Sequence, residues 1–227
     1  MNILIVDNNI NKKCWGAKDI VRYFDTIKNA SITVRRGPHN DLPASINNFD
    51  KIIISGSLAS ATEQASWVKN LIALIKSAYK LNIPVFGICF GHQMIARALG
   101  GEACVRKAKQ AEFGWTKIET IKSFPLFNGL NKSFYSFSSH FDETCKLPAR
   151  FELFASSNLC AVQAFKVNNK NIFGVQFHPE KPLDDAKKTY LDEKKEGRGS
   201  TFLHANKADQ LYNAAVGKTI FRNFILL

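Results

Sequence analysis

The sequence predicts an α/β fold: a mostly parallel central sheet with helices on both faces and a small antiparallel extension at one side. Two observations carry this. Short, almost continuously apolar runs alternate with stretches of helical periodicity, as parallel strands covered on both faces do. Between residues 104 and 164 the pattern changes to short alternating segments separated by turn residues, which predicts antiparallel strands.

The elements follow in order. Residues 2–6 form an apolar run that ends at Asp7-Asn8-Asn9, a buried strand followed by a turn. Residues 18–27 place Ile20, Val21, Phe24 and Ile27 at the spacing of an amphipathic helix. Residues 31–35, 50–55 and 83–88 predict three more strands. Between the last two, residues 65–81 carry Trp67, Val68, Leu71, Ile72, Leu74 and Ile75 at helical intervals. Segments 115–119, 134–137 and 151–155 are the antiparallel candidates, and residues 171–177 predict a strand ending at His178-Pro179-Glu180. A charged helix over 183–195, a glycine-containing loop over 196–200 and a final helix or helix pair over 207–226, broken near Gly217, complete the chain. Ligands of such sheets bind beyond the carboxyl ends of the strands, so the loops after Val6, Ser55 and Ile88 are the first places to look.

Composition narrows the classes. A chain of 227 residues with 45% hydrophobic and 22% charged content is ordinary for a globular protein, and one domain over 1–227 is the simplest reading. The net charge of +12 comes from scattered Lys and Arg without accompanying stacking aromatics. A solvated basic surface or an acidic protein partner explains it more simply than nucleic acid. No apolar run approaches the ~20 residues that span a bilayer, and the first residues lack the pattern of a signal peptide, so a cytoplasmic protein is expected. The five cysteines are odd in number, widely spaced and without a C-x-x-C pair, which argues against a disulfide framework or a zinc site. No metal and no cofactor are expected. Four of the thiols are expected to be small apolar fillers.

Cys89 stands apart. Residues 83–88 lead into Gly87-Ile88-Cys89-Phe90-Gly91, followed by helical sequence over 92–99. That is the form of a nucleophile elbow with Cys in place of Ser. The sharp turn strains the backbone at the nucleophile, and the flanking glycines avoid collision. A thiolate there gains from the unpaired N–H groups of the helix start. The N–H of Phe90 would face a developing oxyanion. Taken alone, the motif also arises by chance around an inert thiol. A thiol nucleophile needs a base held by a third group. His178 and Glu180, two apart at a strand end, can be neighbours while Pro179 stiffens the link. His140, with Asp142 two residues away, is the weaker base candidate, and His92 supports the elbow rather than catalysing.

Gly87-Ile88-Cys89-Phe90-Gly91-His92-Gln93 together with Gln176-Phe177-His178-Pro179-Glu180 resembles the class I, triad-type glutamine amidotransferases, particularly free-standing relatives of the glutaminase part of GMP synthetase. The resemblance implies a flavodoxin-like fold and a Cys89–His178–Glu180 triad. Cys89 would attack the side-chain amide of glutamine to form a thioester, with glutamate and ammonia as products. The ammonia would pass to an acceptor held by a partner, an ATP-dependent synthetase subunit. The resemblance also implies an oxyanion loop at Ser55-Gly56-Ser57. The family's second glycine and following proline are Ser57 and Leu58 here, so Gly56 and Ser57 both remain candidates beside Phe90. Gln93 and the segment Ser138-Ser139-His140-Phe141-Asp142 resemble substrate-binding positions, and Glu112-Phe113-Gly114-Trp115 resembles a segment near the site or a structural turn around a packed Trp115. Two other readings stay open: a γ-glutamyl peptide or amide hydrolase of the same fold, and a non-catalytic regulatory module.

The chain departs from the resemblance after Glu180. The family passes directly into its last helix, whereas residues 181–206 are inserted here, including the Gly197-Arg198-Gly199 turn. The insertion could cover the site, receive a second substrate or dock a partner; a solvated helix and loop is the plainer expectation.

Overall fold

A computed structural model describes residues 1–25, 27–197 and 202–227. Five parallel strands make the centre: β1 (Asn2–Asp7), β2 (Ser31–Arg36), β3 (Lys51–Ile54), β4 (Val85–Ile88) and β9 (Ile172–Val175). They lie in the order β2-β1-β3-β4-β9. Alternate residues of each strand face opposite ways. Leu4, Val6, Ile52, Ile54 and Val85 enter one core, under α2 (Ser66–Leu81) and α3 (Phe90–Gly100). Ile3, Ile5, Ile53, Phe86 and Ile88 enter the other, under α1 (Ala17–Val21) and α6 (Ala214–Leu226).

Beyond β9 the sheet becomes antiparallel through β8 (Ala164–Val167), β7 (Phe151–Ser156), β5 (Val105–Thr120) and β6 (Ser133–Thr144). The short alternating segments expected here are parts of longer strands: β5 runs 16 residues and β6 runs 12. A register shift between Lys107 and Glu112 interrupts their pairing. Glu112–Trp115 therefore lies in a strand rather than a turn.

Two helix expectations are corrected. The helix expected over 18–27 is only five residues long. After Val21 the backbone N–H groups of Tyr23, Phe24 and Ile27 bond three residues back, a tighter winding that still turns Phe24 into the core. At the other end, the break falls not near Gly217 but at Tyr212 and Asn213, between α5 (Ala208–Leu211) and α6. The Asn213 side chain accepts from the Ala215 N–H at 2.9 Å and so starts α6, as a favoured N-cap residue does. Gly217 lies inside α6, packed so closely on the Pro179 carbonyl that a Cβ would collide with it.

The described residues of the 181–206 segment form a layer over the β5–β6 hairpin. Its helix α4 (Leu183–Lys195) has the expected bounds, and β10 (Phe202–Leu203) pairs parallel with β5 at Phe113 and Gly114. Together with α5 it covers a third apolar cluster in which Trp115, Phe137, Ala186 and Ala208 are buried. That corrects the expectation of a solvated segment. Of the Gly197-Arg198-Gly199 turn and the 196–200 loop, residues 198–200 lie outside the described residues. Among the described residues no helix is long and apolar enough to cross a membrane.

Candidate functional site

Strands β1, β3, β4 and β9 are parallel, so their carboxyl ends converge on one rim. Cys89 sits there, between β4 and α3, with φ +50° and ψ −105°. For a non-glycine residue this is sparsely populated backbone, the strain expected of an elbow. The surroundings impose it. The Cys89 N–H donates to Val175 O at 2.9 Å, tying the turn to β9. A Cβ at Gly91 would collide with the Ile54 carbonyl, so only glycine lets α3 start this close to β3.

His178 and Glu180 follow β9. His178 Nδ1 lies 2.6 Å from Glu180 Oε1, with both side chains buried. The His178 N–H donates to Phe137 O at 2.7 Å. From the opposite side Arg22 Nη2 donates to Glu180 O at 2.7 Å and the Tyr23 hydroxyl to Pro179 O at 3.2 Å. Burial works against charge on His178, but Glu180 and Cys89 outweigh it and raise its pKa. On Glu180 burial is likewise overcome, by His178, and the carboxyl is held below its ordinary value.

Gly56 brings Cys89 and His178 together. A Cβ there would lie 2.8 Å from His178 Cε1 and 3.6 Å from the Cys89 Cβ. Its loop is clamped by Asn8, which the sequence marked only as part of a turn. The Asn8 N–H donates to Ser55 Oγ at 2.9 Å and its side-chain amide to Ser55 O at 3.1 Å. Ser57 Oγ donates to Asn8 O at 2.7 Å, so this hydroxyl is engaged and only the backbone of Ser57 is free to serve a ligand. The Phe90 amide lies in the first turn of α3, where N–H groups have no partner within the helix.

Two cavities flank the cysteine. The larger, about 370 Å³, is lined by Ser57, Cys89, Gln93, Lys107, Ser139 and His140 among others. The smaller, about 110 Å³, lies on the side of His178 and Glu180 and reaches Asp19, Lys181 and Thr189. Ser139 lines both, and its carbonyl accepts from the Cys89 thiol at 3.7 Å. Ser138 lines neither and is fully buried, because adjacent residues of β6 face opposite ways. Gln93 donates its amide to Asp142 O at 2.7 Å and to Gln176 Oε1 at 3.0 Å.

His140 has the carboxylate partner that sequence proximity to Asp142 did not supply. Its Nε2 is 2.8 Å from Glu112 Oε2, and its Nδ1 is 3.0 Å from the Asp142 carbonyl. Glu112 also accepts from Ser157 and Gln163. Antiparallel register alone places Glu112 opposite His140. Both ring nitrogens are thus committed, which makes His140 a brace for the cavity wall. The potential ligand atoms of Glu112, His140 and Cys160 lie within 4.8 Å of one another. They suit a metal poorly, since the carboxylate oxygens are hydrogen-bonded and burial, with Glu112 nearby, pushes the Cys160 thiol up and keeps it protonated. His92, packed between Gly174 and Phe165, is pushed down by burial to about 3 and stays neutral behind the elbow. All five cysteines are free; Cys14 is exposed and Cys145 half-buried, so these two are not core fillers.

The fold and its rim define an α/β protein with a cysteine on a strand-to-helix elbow at the carboxyl ends of its parallel strands. Residues 17–196 match the model of the family described as glutamine amidotransferase class-I, and the chain belongs to that family. A subunit of the glutamine-hydrolysing GMP synthase of Methanocaldococcus jannaschii is 34% identical over 178 residues, which cover 78% of this chain and 87% of that one. The corresponding subunit from Pyrococcus furiosus is 33% identical, covering 78% and 88%. A solved glutamine amidotransferase from Thermotoga maritima superimposes with a TM-score of 0.79 at 24% identity, covering 99% of this chain and 96% of its own, a likeness of fold.

Proposed function

We propose that this chain hydrolyses the side-chain amide of glutamine at Cys89 and supplies the ammonia to an acceptor on a separate, ATP-dependent synthetase subunit. The observation that carries the reading is the buried His178–Glu180 pair, 2.6 Å apart, packed with Cys89 around Gly56. The Cys89 sulfur attacks the amide carbon while His178 takes the thiol proton and passes it to the departing amine. Ammonia leaves and a γ-glutamyl thioester remains. Water, deprotonated by His178, then releases glutamate and restores the thiol. Glu180 holds the imidazole in orientation. The Phe90 N–H, with that of Gly56 or Ser57, faces the oxyanion. The larger cavity, with Gln93, Ser139 and the braced His140, receives the amino-acid end of the substrate. The partner reading follows the names of the relatives, each one subunit of a glutamine-hydrolysing GMP synthase.

The test is glutamate release from glutamine, alone and with the co-purified partner. Turnover that disappears in Cys89→Ala is expected, with a glutamine-like electrophile labelling Cys89. Absence of release under both conditions sinks the proposal, and faster turnover of γ-glutamyl peptides than of glutamine replaces it with the hydrolase reading.

A further inference from the structure

The early stop of α1 leaves a groove along α6. About 590 Å³ in volume, it is walled by Tyr23, Ile27, Tyr212, Phe221 and Ile225 and carries Arg22, Lys218 and Arg222. This size falls within the few-hundred to ~1,000 Å³ range of small-molecule sites, and apolar walls with few charged groups are their usual composition. The charges are one-sided. Among the described residues no carboxylate lines the groove, and neither Lys218 nor Arg222 has an ion-pair partner. Lys218 and Arg222 are one helical turn apart on α6, where like charges repel unless an anion lies between them. Arg22 uses Nη2 on the Tyr23 hydroxyl and Glu180 O, which leaves other guanidinium donors of its fork uncommitted.

We propose that this groove is a second ligand site, for a small organic anion with an apolar or aromatic body and a single acidic head, and that its occupancy is felt at the His178–Glu180 turn. The connection is direct. Arg22 and Tyr23, which wall the groove, hold the carbonyls of Glu180 and Pro179. Tyr23 also stacks on Phe221 with ring centroids 4.2 Å apart, so a body inserted beside Phe221 presses on the tyrosine that supports the turn. An anionic head recruits Arg22 from its bond to Glu180 O, because a charge-assisted bond is stronger than one to a neutral carbonyl.

The site is tested on the full chain by fluorescence titration with anilinonaphthalenesulfonate, an aromatic anion, against phenylnaphthylamine, the same body without charge. The anion is expected to bind with one saturable site, about ten-fold or more tighter than the neutral probe, as two or three charge-assisted contacts provide. Lys218→Glu with Arg222→Glu should remove that preference, and Ala214→Trp, which puts an indole in place of a small exposed lining residue, should remove binding of both probes. Lys76→Glu, an exposed charge reversal on α2, should change nothing. Equal affinity for the two probes, or anion binding that survives Ala214→Trp in a variant of unchanged melting temperature, overturns the site. The coupling rests on the glutaminase reading and has its own arm: saturating anion should change kcat or KM for glutamine in the parent but not in Ala214→Trp. Binding without a kinetic change overturns the coupling. Binding with no glutamine turnover at all overturns the glutaminase reading and leaves the groove standing.

Discussion

Burial alone would strip the proton from His178, yet Glu180 and Cys89 reverse that and leave its pKa raised. Stability from this pairing is therefore complete below the unfolded value, about 6.5, and is lost as pH rises through the raised folded value. The Glu180 share behaves oppositely: it is present above about 4.3 and lost as pH falls through the lowered value. Glu180→Gln should consequently destabilise the protein most near neutral pH. In kinetics it should lower kcat/KM about 10²-fold or more and move the governing titration to lower pH. An unchanged pH profile would contradict the role given to Glu180. Gly56→Ala tests the position of the ring. The new methyl meets the His178 ring at 2.8 Å, so turnover should fall about 10²-fold, and the melting temperature should fall as well because the buried ring is pushed from its place beside Glu180.

At this scale the elbow and the His178–Glu180 pair were legible because each is a local pattern whose glycines and spacing state their own geometry. Asn8 and the Glu112–His140 brace were not. Asn8 reaches Ser55 and Ser57 across neighbouring strands, and Glu112 meets His140 only through the register of a long hairpin. Nothing local in the sequence states a cross-strand register.

Among the elements, α1 and the insertion differ most from expectation, and they touch. Lys18 bonds Asp185 of α4 at 2.8 Å, and Asp19 beside it is pushed up to about 6 by burial, with Lys18 opposing and Asp185 adding to the rise. A carboxyl raised in the folded state contributes stability below its unfolded value, about 3.9, that is lost as pH rises through about 6. Asp19→Asn should therefore raise the melting temperature at pH 7.5 by more than at pH 5, as read by thermal unfolding at the two values; an equal shift at both would exclude the ionisation as cause. Periodicity marked the apolar positions of α1 but not its end, since residues bonded three back keep nearly the same face inward. In the 181–206 segment, α4 was legible as a charged helix. Its apolar contacts with Trp115 and Phe137 were not, because they join segments far apart in the chain.

Across the whole molecule the alternation of Leu4, Val6, Ile52 and Ile54 with Ile3, Ile5 and Ile53 divides the interior into two cores, and this was already written in the apolar runs. Phe221 is central to the second. It meets Tyr23, Phe24 and Phe86 and is fully buried. Phe221→Ala should cost about 3–5 kcal/mol in denaturant unfolding. It should also lower activity, since Tyr23 loses the ring that holds it against Pro179.

The contact between Gly217 and the Pro179 carbonyl has a consequence for how such a chain is assembled. The backbone leaves the His178–Glu180 turn, travels through α4, β10 and α5, and returns in α6 to the same carbonyl. Topologically the intervening stretch is a detour with both ends at one place. A detour of that kind can be lengthened or shortened between its fixed ends, provided Trp115 and Phe137 keep a cover and Lys181, Asp185 and Thr189 keep their places against the smaller cavity and α1.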